Sequence, residues 1–216
     1  ISIGFGIPHV RVVNDFAAAA SGIEMLQDAD LVTLQPGEPI PAAPRVVIGA
    51  GTGLGVAYLI WAGGGYHVIA GEAGHAGFAP STSEQLELWR DLYSRHGRVA
   101  VERVVSGPGL VRIHGFLERR EGKPAAPANE LRVSVTPAAI THAVFQSGDP
   151  LCSRALDMFI SCYGAVAGDH ALAVMARGGV YVAGGVAPKI LPRLLEGGFL
   201  AAFNARGAGS DEVRKI

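Results

Sequence analysis

The sequence predicts an α/β fold in which at least some strands pair in parallel. Strands are predicted with helices between and after them, the arrangement typical of α/β proteins. A long helical pattern at residues 153–177 is apolar on nearly every side, which indicates burial between layers. The 216 residues are 49% hydrophobic and only 17% charged, so the chain is globular rather than disordered.

The first elements are predicted from β-branched runs and turn residues. A polar Asn14-Asp15 pair ends the first strand, four prolines mark the loop, and three consecutive glycines at 63–65 turn one strand into the next. In order, these elements are a strand at 9–16, a helix at 17–26, a strand at 31–35, a loop at 36–44, and a meander of strands at 45–49, 53–62 and 66–70.

Helices dominate after residue 80. A helix begins at the capping box Ser81-x-x-Glu84, places Leu86, Trp89 and Tyr93 on one face, and ends at Gly97. Thr136 and Pro137 open another helix as N-cap and first residue. The remaining elements are helices at 101–106 and 108–120, a loop at 123–129, the helix at 153–177 ended by Gly178-Gly179, a strand at 180–183 and a helical segment at 189–203.

Charge and cysteine usage exclude several function classes. Eighteen Lys and Arg residues against nineteen Asp and Glu give a net charge of -1, so there is no basic field for nucleic acid or an anionic membrane. No apolar run reaches the roughly 18 residues that span a bilayer. Cys152 and Cys162 lie ten residues apart in an apolar stretch, which predicts that both are reduced and buried in the core. We therefore expect a cytoplasmic protein. A chain that begins at Ile1 suggests a processed or partial sequence.

Two glycine-rich turns are candidates for contact with phosphate or nucleoside. Residues 49–55 read Gly-Ala-Gly-Thr-Gly-Leu-Gly, and such a turn can offer backbone N–H groups and the Thr52 hydroxyl to phosphate oxygens. It is not a Walker loop, because no Gly-Lys-Ser/Thr follows. Gly184-Gly185 ends a buried strand and could border a nucleoside. A tight hairpin and a tight strand-to-helix turn are the structural alternatives.

Four polar side chains are candidates for binding hydroxyl groups. Asp15 can accept a hydroxyl proton and Asn14 can both donate and accept, although a helix N-cap is the alternative for this pair. Glu72 and His75 lie three residues apart in a glycine-rich loop, where apolar flanks are expected to shield them from water. A zinc site is disfavoured because no second ligand cluster has suitable spacing, and a structural histidine remains the alternative.

Glu102 is a single acid in an apolar segment. Its neighbour Arg103 does not share its helical face, so Glu102 lacks an obvious partner and becomes a candidate ligand. A surface charge at a helix start is the alternative interpretation.

Five motifs occur in a characteristic order. They are Val-Asn-Asp-Phe at 13–16, Gly-Ala-Gly-Thr-Gly-Leu-Gly at 49–55, Gly-Glu-x-Gly-His-x-x-Phe-Ala-Pro at 71–80, Glu-Arg-Val-x-Ser-Gly-Pro-Gly-Leu at 102–110 and Val-Ala-Gly-Gly-Val-x-Pro at 182–188. Together they resemble the bacterial glucokinase family of the hexokinase and actin superfamily, over nearly the whole chain. The resemblance implies a ribonuclease-H-like fold of hexokinase and actin type, and transfer of the ATP γ-phosphoryl group to the 6-hydroxyl of glucose.

The resemblance also implies roles for the candidate residues. Asp15 is the expected base, and the expected sugar ligands are Asn14, Asp15, Glu72, His75 and Glu102. Gly49, Gly51, Thr52 and Gly53, together with Gly184 and Gly185, are expected to border ATP, which would bring Mg²⁺ with it. No metal site on the protein itself is expected. Glucose and ATP are the expected partners, and a homodimer is expected, although the sequence itself leaves the oligomeric state open.

The chain departs from the family pattern in three places. Ala73 replaces a glycine of the sugar loop, the opening Asp-x-Gly-Gly-Thr phosphate motif with its magnesium-associated Asp is absent, and so are the closing strand and helix. We therefore expect a partial chain, with residues 1–25 forming the end of a small α/β domain and hinge and residues 26–216 forming the large α/β domain. The cysteine-rich zinc motif of the related ROK family is missing, which disfavours that branch.

Two other function classes remain as alternatives. One is a sugar-binding regulatory module of the same superfamily without catalysis, which the retained Asp15 disfavours. The other is an ATPase acting on a non-sugar substrate, which the set of hydroxyl acceptors disfavours. The hexose range beyond glucose and the choice among ATP, ADP and polyphosphate remain open.

Overall fold

The computed structural model describes Gly4, Gly6 and residues 14–122 and 135–216, which form a four-stranded mixed sheet with helices on both faces. The strands are β1 (Arg45–Ala50), β2 (Leu54–Ala62), β3 (Gly65–Gly71) and β4 (Val180–Ala183), in the spatial order β3-β2-β1-β4. Antiparallel pairing joins β1 to β2 and β2 to β3, whereas β4 pairs with β1 in parallel. The predicted meander and the partly parallel α/β sheet are confirmed.

Eight α-helices lie within the described residues. They are α1 (Asp15–Ser21), α2 (Ser83–His96), α3 (Gly107–Arg120), α4 (Pro137–Ser147), α5 (Pro150–Val174), α6 (Leu191–Leu194), α7 (Gly198–Asn204) and α8 (Ser210–Val213). In this part of the chain, no helix is both long enough and apolar enough to cross a bilayer.

The two faces of the sheet contact different helices. Successive side chains of a strand point to opposite faces, so Val46, Ile48 and Ala50 of β1 enter the larger core together with Phe159 and Tyr163 of α5. The residues of the smaller, opposite cluster are Ala20, Ile23, Val47, Ala57 and Leu59. The apolar sides of α5 are therefore explained by burial beneath the sheet, as the sequence predicts.

Several predicted helix ends are confirmed by their caps. Thr136 accepts a hydrogen bond from the Ala139 N–H at 3.0 Å, and Pro137 follows as the first residue of α4. Gly97 ends α2 with a φ of 69°, a conformation that glycine adopts without strain.

Two predicted strands need correction. Asp15 and Phe16 begin α1 instead of ending a strand, because the Asn14 side chain caps that helix, and residues 9–13 of the predicted strand lie outside the described residues. The segment 31–35 forms no strand. The Gln35 amide instead donates to the carbonyls of Val213, Arg214 and Ile216 at 3.1–3.2 Å, so side-chain bonds rather than a ladder hold the segment.

The start of α2 lies one residue later than predicted. Thr82, not Ser81, is the N-cap, and its hydroxyl accepts from the Gln85 N–H at 3.2 Å. Gln85 accepts in return from the Ser81 N–H at 2.8 Å. Glu84 points elsewhere, because its carboxylate binds Arg120 at 2.5 Å.

The long helix is shifted relative to the prediction. It starts at Pro150, because the Asp149 carboxylate accepts from the Cys152 N–H at 2.8 Å. It ends at Val174, because Met175 adopts a left-handed conformation with a φ of 47°, so the predicted stop at Gly178-Gly179 is wrong.

Two further helical predictions hold only in part. Within 101–106, only the 3-10 turn Val101–Arg103 forms, since Ser106 is extended and caps α3. The segment 189–203 is interrupted at Gly197, whose φ of 94° separates α6 from α7. The predicted loop at 123–129 lies outside the described residues.

Candidate functional site

The two glycine-rich turns emerge side by side at one edge of the sheet. β1 and β4 are parallel, and their last paired residues are Gly49 and Ala183. The turn that follows β1 and the Gly184-Gly185 pair that follows β4 therefore leave the same edge. The Val186 N–H donates to the Ala50 carbonyl at 3.2 Å, which joins the two turns directly.

The turn after β1 is a tight connection with an open tip. The Gly51 N–H donates to the Gly53 carbonyl at 2.9 Å, and the Gly51 carbonyl accepts from the Gly107 N–H at 2.8 Å. The hairpin alternative is thus realised, and the Gly51 N–H is already used within the turn. Thr52 at the tip is exposed, and no atom lies within 4 Å of the position that a Cβ would occupy at Gly51. This space fits the approach of a phosphate group.

Gly184 and Gly185 differ in what surrounds them. Gly184 has a φ of 82°, and a Cβ there would lie 2.5 Å from the Ala50 carbonyl oxygen. Close packing of two backbones therefore requires glycine at this position, which is the structural alternative from the sequence. Gly185 faces open space, so a ligand can reach its backbone.

Phe16 fixes the first turn of α1 to the sheet. Gly49 and Gly55 are directly paired across β1 and β2, and the Phe16 ring lies over both. A Cβ would come within 2.6 Å of that ring at Gly49 and 2.5 Å at Gly55. Gly49 thus has a packing role, and the packing holds Asn14 and Asp15 at the edge where the glycine turns emerge.

Asn14 and Asp15 are exposed at the start of α1. The Asn14 side-chain oxygen accepts from the N–H groups of Phe16 and Ala17 at 2.9 and 3.1 Å, so the helix-cap interpretation is correct for this residue. Asp15 accepts from the Phe16 N–H at 2.7 Å through Oδ1. The cap uses Oδ1 of Asn14, and Oδ1 of Asp15 accepts from the Phe16 N–H, so the asparagine amide nitrogen and the second carboxylate oxygen can meet a ligand.

His75 lies between two carboxylates. Its Nδ1 is 3.3 Å from Oε1 of Glu102, and its Nε2 is 3.9 Å from Oε2 of Glu72. Glu102 also lies against the β1–β2 turn, because a Cβ at Gly53 would be 2.9 Å from its Oε2. The structure therefore brings together the three acceptors that the sequence singles out and places them beside the candidate phosphate turn.

A short strand-like contact sets the register of this cluster. Gly77 forms an isolated antiparallel bridge with Ala100, and the Val101 N–H donates to the Ala76 carbonyl at 2.9 Å. The guanidinium of Arg98 donates to the His75 carbonyl at 2.9 Å. These bonds hold the His75 loop next to the turn that bears Glu102.

The expected shielding of the cluster from water is wrong for this chain. The side chains of Glu72 and His75 are 78% and 62% exposed, and that of Glu102 is 33% exposed. In the 3-10 turn Ala73–His75, Gly74 is buried and Ala73 is half-buried against the core, whereas His75 is exposed. Ala73 fits this turn without a positive φ, so the glycine-to-alanine departure leaves the loop intact.

Metal-ligating side chains do not cluster within the described residues. No group of three or more His, Cys, Asp or Glu residues there could hold a metal ion. Cys152 and Cys162 are free and buried, and burial raises the pKa of the Cys152 thiol to about 11, so it stays protonated near neutral pH.

Comparison with known proteins decides the family. The glucokinase family model matches residues 1–216. The chain belongs to the glucokinase family. The glucokinase of Nostoc punctiforme is 44% identical over 94% of this chain, and that of Mesorhizobium japonicum is 39% identical over 98%.

A solved glucokinase structure gives the same fold. A glucokinase from an Antarctic psychrotroph superposes with a TM-score of 0.88 at 29% identity and covers 99% of this chain. The expected glucokinase-type α/β fold is therefore confirmed. The chain spans 64% of the Nostoc relative, 60% of the Mesorhizobium relative and 64% of the solved chain.

Three residues near the glucokinase-family motifs were missed by sequence reasoning. Phe16 and Arg98 position the start of α1 and the His75 loop, and Tyr163 of α5 reaches the ends of β1 and β4. A lone tyrosine in an apolar helix was the available signal for Tyr163, since a buried hydroxyl requires a partner. Nothing in the local sequence distinguishes Arg98 from other surface arginines.

Proposed function

We propose that the whole protein is an ATP-dependent hexose kinase that transfers the γ-phosphoryl group of ATP to the 6-hydroxyl of glucose. The observation that supports this most directly is the position of Glu102, which contacts His75 at 3.3 Å and lies against Gly53 of the candidate phosphate turn. Hydroxyl acceptors and a phosphate-binding turn must be adjacent in an enzyme that phosphorylates an alcohol. Membership of the glucokinase family supports the same reaction.

In this proposal Asp15 accepts the proton of the 6-hydroxyl as that oxygen attacks the γ-phosphorus. Its carboxylate is exposed at the sheet edge, and the Phe16 ring packed on Gly49 and Gly55 fixes its place. A positioned carboxylate can serve as a general base for this step.

The remaining sugar hydroxyls are assigned to Asn14, Glu72, His75 and Glu102. Nδ1 lies 3.3 Å from Oε1 of Glu102 and would donate to that carboxylate, which would leave Nε2 to accept from a hydroxyl. The carboxylates of Glu72 and Glu102 would accept hydrogen bonds from other hydroxyls of the sugar. A site with several such acceptors rejects sugars that lack one of the matching groups.

ATP is assigned to the two glycine turns. Thr52 and Gly53 would meet its phosphates, and the backbone at Gly185 is open to the nucleoside. Gly51 and Gly184 would shape the turns. Mg²⁺ is assigned to the nucleotide, where it would neutralise charge on the phosphates.

We also propose the wider setting that the resemblance implies. The enzyme would carry out the first step of glycolysis in the cytoplasm, as a homodimer, with residues 1–25 in the small domain and residues 26–216 in the large one.

Exposed apolar side chains on α2, namely Leu86 and Tyr93, offer a surface that a second copy can cover. Sedimentation of the whole protein tests the oligomeric state.

The deciding experiment measures turnover of the whole protein with ATP and a panel of hexoses, in wild type and Asp15→Asn. Loss of the base lowers kcat by about 10²- to 10⁴-fold while glucose binding stays measurable. Asp28→Asn, which changes an exposed aspartate outside the site, serves as the matched control. An Asp15→Asn variant with more than about a tenth of wild-type kcat would remove Asp15 from this role. Glucose binding without turnover in wild type would indicate the regulatory alternative.

A further inference from the structure

Tyr163 of α5 reaches the point where β1 and β4 separate. Its hydroxyl donates to the Ile48 carbonyl at 3.1 Å and accepts from the Ala50 N–H at 3.2 Å. The Ala183 carbonyl of β4 lies 3.5 Å from the same oxygen. The side chain is fully buried, and burial raises the pKa of Tyr163, so the hydroxyl keeps the proton that it donates.

The hydroxyl binds where the strand ladder stops. The pairing of β1 with β4 ends at Gly49 and Ala183, and Ala50 is the next residue of β1. A buried N–H group there needs an acceptor, and the tyrosine oxygen supplies it. The Ala50 carbonyl in turn accepts from Val186, two residues beyond Gly184. The Tyr163 hydroxyl and Ala50 thus connect the residues at which the β1 turn and the β4 turn begin.

We propose that Tyr163 is a positioning residue for nucleotide binding: its hydroxyl holds the β1 turn and the β4 turn at a fixed separation before ATP arrives. This inference rests on the proposed function, because it takes both turns as the nucleotide site. When two binding segments are already ordered, less conformational entropy is lost as the ligand binds, so affinity rises. The hydroxyl bonds to Ile48, Ala50 and Ala183 and not to Glu72, His75 or Glu102, so its removal should affect ATP binding first.

The test compares Tyr163→Phe with Tyr58→Phe in the whole protein. Both substitutions delete one phenolic hydroxyl that joins α5 to the sheet, since Tyr58 binds His170 of α5 at 2.7 Å, but only Tyr163 touches the roots of the turns. We expect Tyr163→Phe to raise the KM for ATP on the order of tenfold, with a KM for glucose within about twofold of wild type. Tyr58→Phe should leave both KM values within about twofold.

Calorimetry with a non-hydrolysable ATP analogue should show the same loss of affinity for Tyr163→Phe. An unchanged ATP affinity, an equal rise in the KM for glucose, or the same effect from Tyr58→Phe would overturn the inference. A wild-type protein that fails to bind the analogue would instead refute the proposed nucleotide site.

Hydrogen exchange in wild type gives a second test that needs no variant. If Tyr163 sets the turns in advance, the Ala50 amide is protected without nucleotide, to a degree similar to that of Ile48 within β1. An Ala50 amide that exchanges freely and becomes protected only when the analogue binds would contradict the inference, whether or not Tyr163→Phe folds.

Discussion

The arrangement of His75 between Glu72 and Glu102 is the most specific feature at the scale of single residues. Two carboxylates that accept hydrogen bonds lie beside an imidazole that can both donate and accept, and this combination suits a ligand with several adjacent hydroxyls. A histidine kept only for packing would be buried, and His75 is largely exposed. Its surroundings therefore favour a ligand over the structural alternative.

Substitution of this cluster should weaken sugar binding. In the whole protein, we expect His75→Ala and Glu102→Gln each to lower the affinity for glucose by roughly 1 to 3 kcal/mol, because each removes hydrogen bonds to a charged acceptor. Calorimetric titration with glucose measures the loss. His67→Ala, at an exposed histidine of β3, is the matched control. Unchanged affinity in both cluster variants would refute the sugar assignment.

A second residue-scale prediction concerns Tyr58 and His170. Burial lowers the pKa of His170, against a smaller opposing effect of Asp169, so the folded protein disfavours its protonation. Burial also raises the pKa of Tyr58, whose hydroxyl lies 2.7 Å from Nδ1 of His170. The unfolded chain therefore binds a proton at His170 more readily than the folded protein does. The contribution of His170 to the free energy of unfolding is fully present above its ordinary pKa of about 6.5, and it is lost as the pH falls through the lower pKa of the folded state.

His170→Gln removes this titration and keeps an acceptor for Tyr58. We expect the melting temperature of wild type to fall more steeply between about pH 7 and pH 5 than that of the variant. His67→Gln provides the control for losing one histidine. Parallel pH profiles for wild type and His170→Gln would show that the buried imidazole contributes nothing to acid sensitivity.

At the scale of elements, the β4 turn depends on one glycine and not on its neighbour. A side chain at Gly184 would clash with the Ala50 carbonyl and would be strained by the φ of 82° at this position, whereas Gly185 has open space. We expect Gly184→Ala to lower the free energy of unfolding by about 1–3 kcal/mol. Gly185→Ala should change it by less than about 0.5 kcal/mol. Urea denaturation of the two variants measures the difference, and equal losses would contradict the close packing described for Gly184.

The packing of α1 bears on the proposed division of the chain. Ala20 and Ile23 pack against Val47 of β1 and Leu59 of β2, so the segment after Asp15 lies on a sheet formed by residues of the proposed large domain. Arg45 at the start of β1 also pairs with Glu24. The boundary between residues 25 and 26 stays a prediction, and residues shortly before it, in α1 and at Ile23, already pack on the sheet.

At the scale of the whole molecule, the candidate site is open to water on this chain. Asn14, Asp15, Glu72 and His75 are all exposed, and the chain spans about 60% of its curated relatives. Phosphoryl transfer to a sugar requires that water be excluded from the attacking position. For the proposed reaction, closure over the sugar would therefore need groups in addition to those that surround the cluster here.

The 216 residues by themselves should therefore not produce glucose 6-phosphate, whereas the whole protein should. The charge that develops during transfer would be stabilised from the β1 and β4 turns alone. A coupled assay on the purified chain, free of host kinase, tests this, with the Nostoc punctiforme glucokinase as positive control. Robust turnover by the 216 residues would show that the open cluster suffices for catalysis.

Local sequence determined the features that depend on neighbouring residues. The β1–β2–β3 meander follows from β-branched runs joined by glycines, and the cap at Thr136 follows from side-chain geometry within one turn. The order of five motifs identified the family, which the family model confirms. The start of α2 at Thr82 and the end of α5 at Met175 differ from the predicted positions. Each cap depends on which backbone groups lack partners, and tertiary packing determines that.

Only the tertiary structure decided which distant residues meet. The 3.3 Å approach of His75 to Glu102 depends on the bridge between Gly77 and Ala100, and the place of Asp15 depends on a ring packed on paired glycines from two strands. The hydroxyl of Tyr163, 113 residues from Ala50 along the chain, is the clearest case. Residue type and spacing specify what a group can do, but long-range contacts arise from the pairing of strands and the docking of helices, which no local pattern encodes.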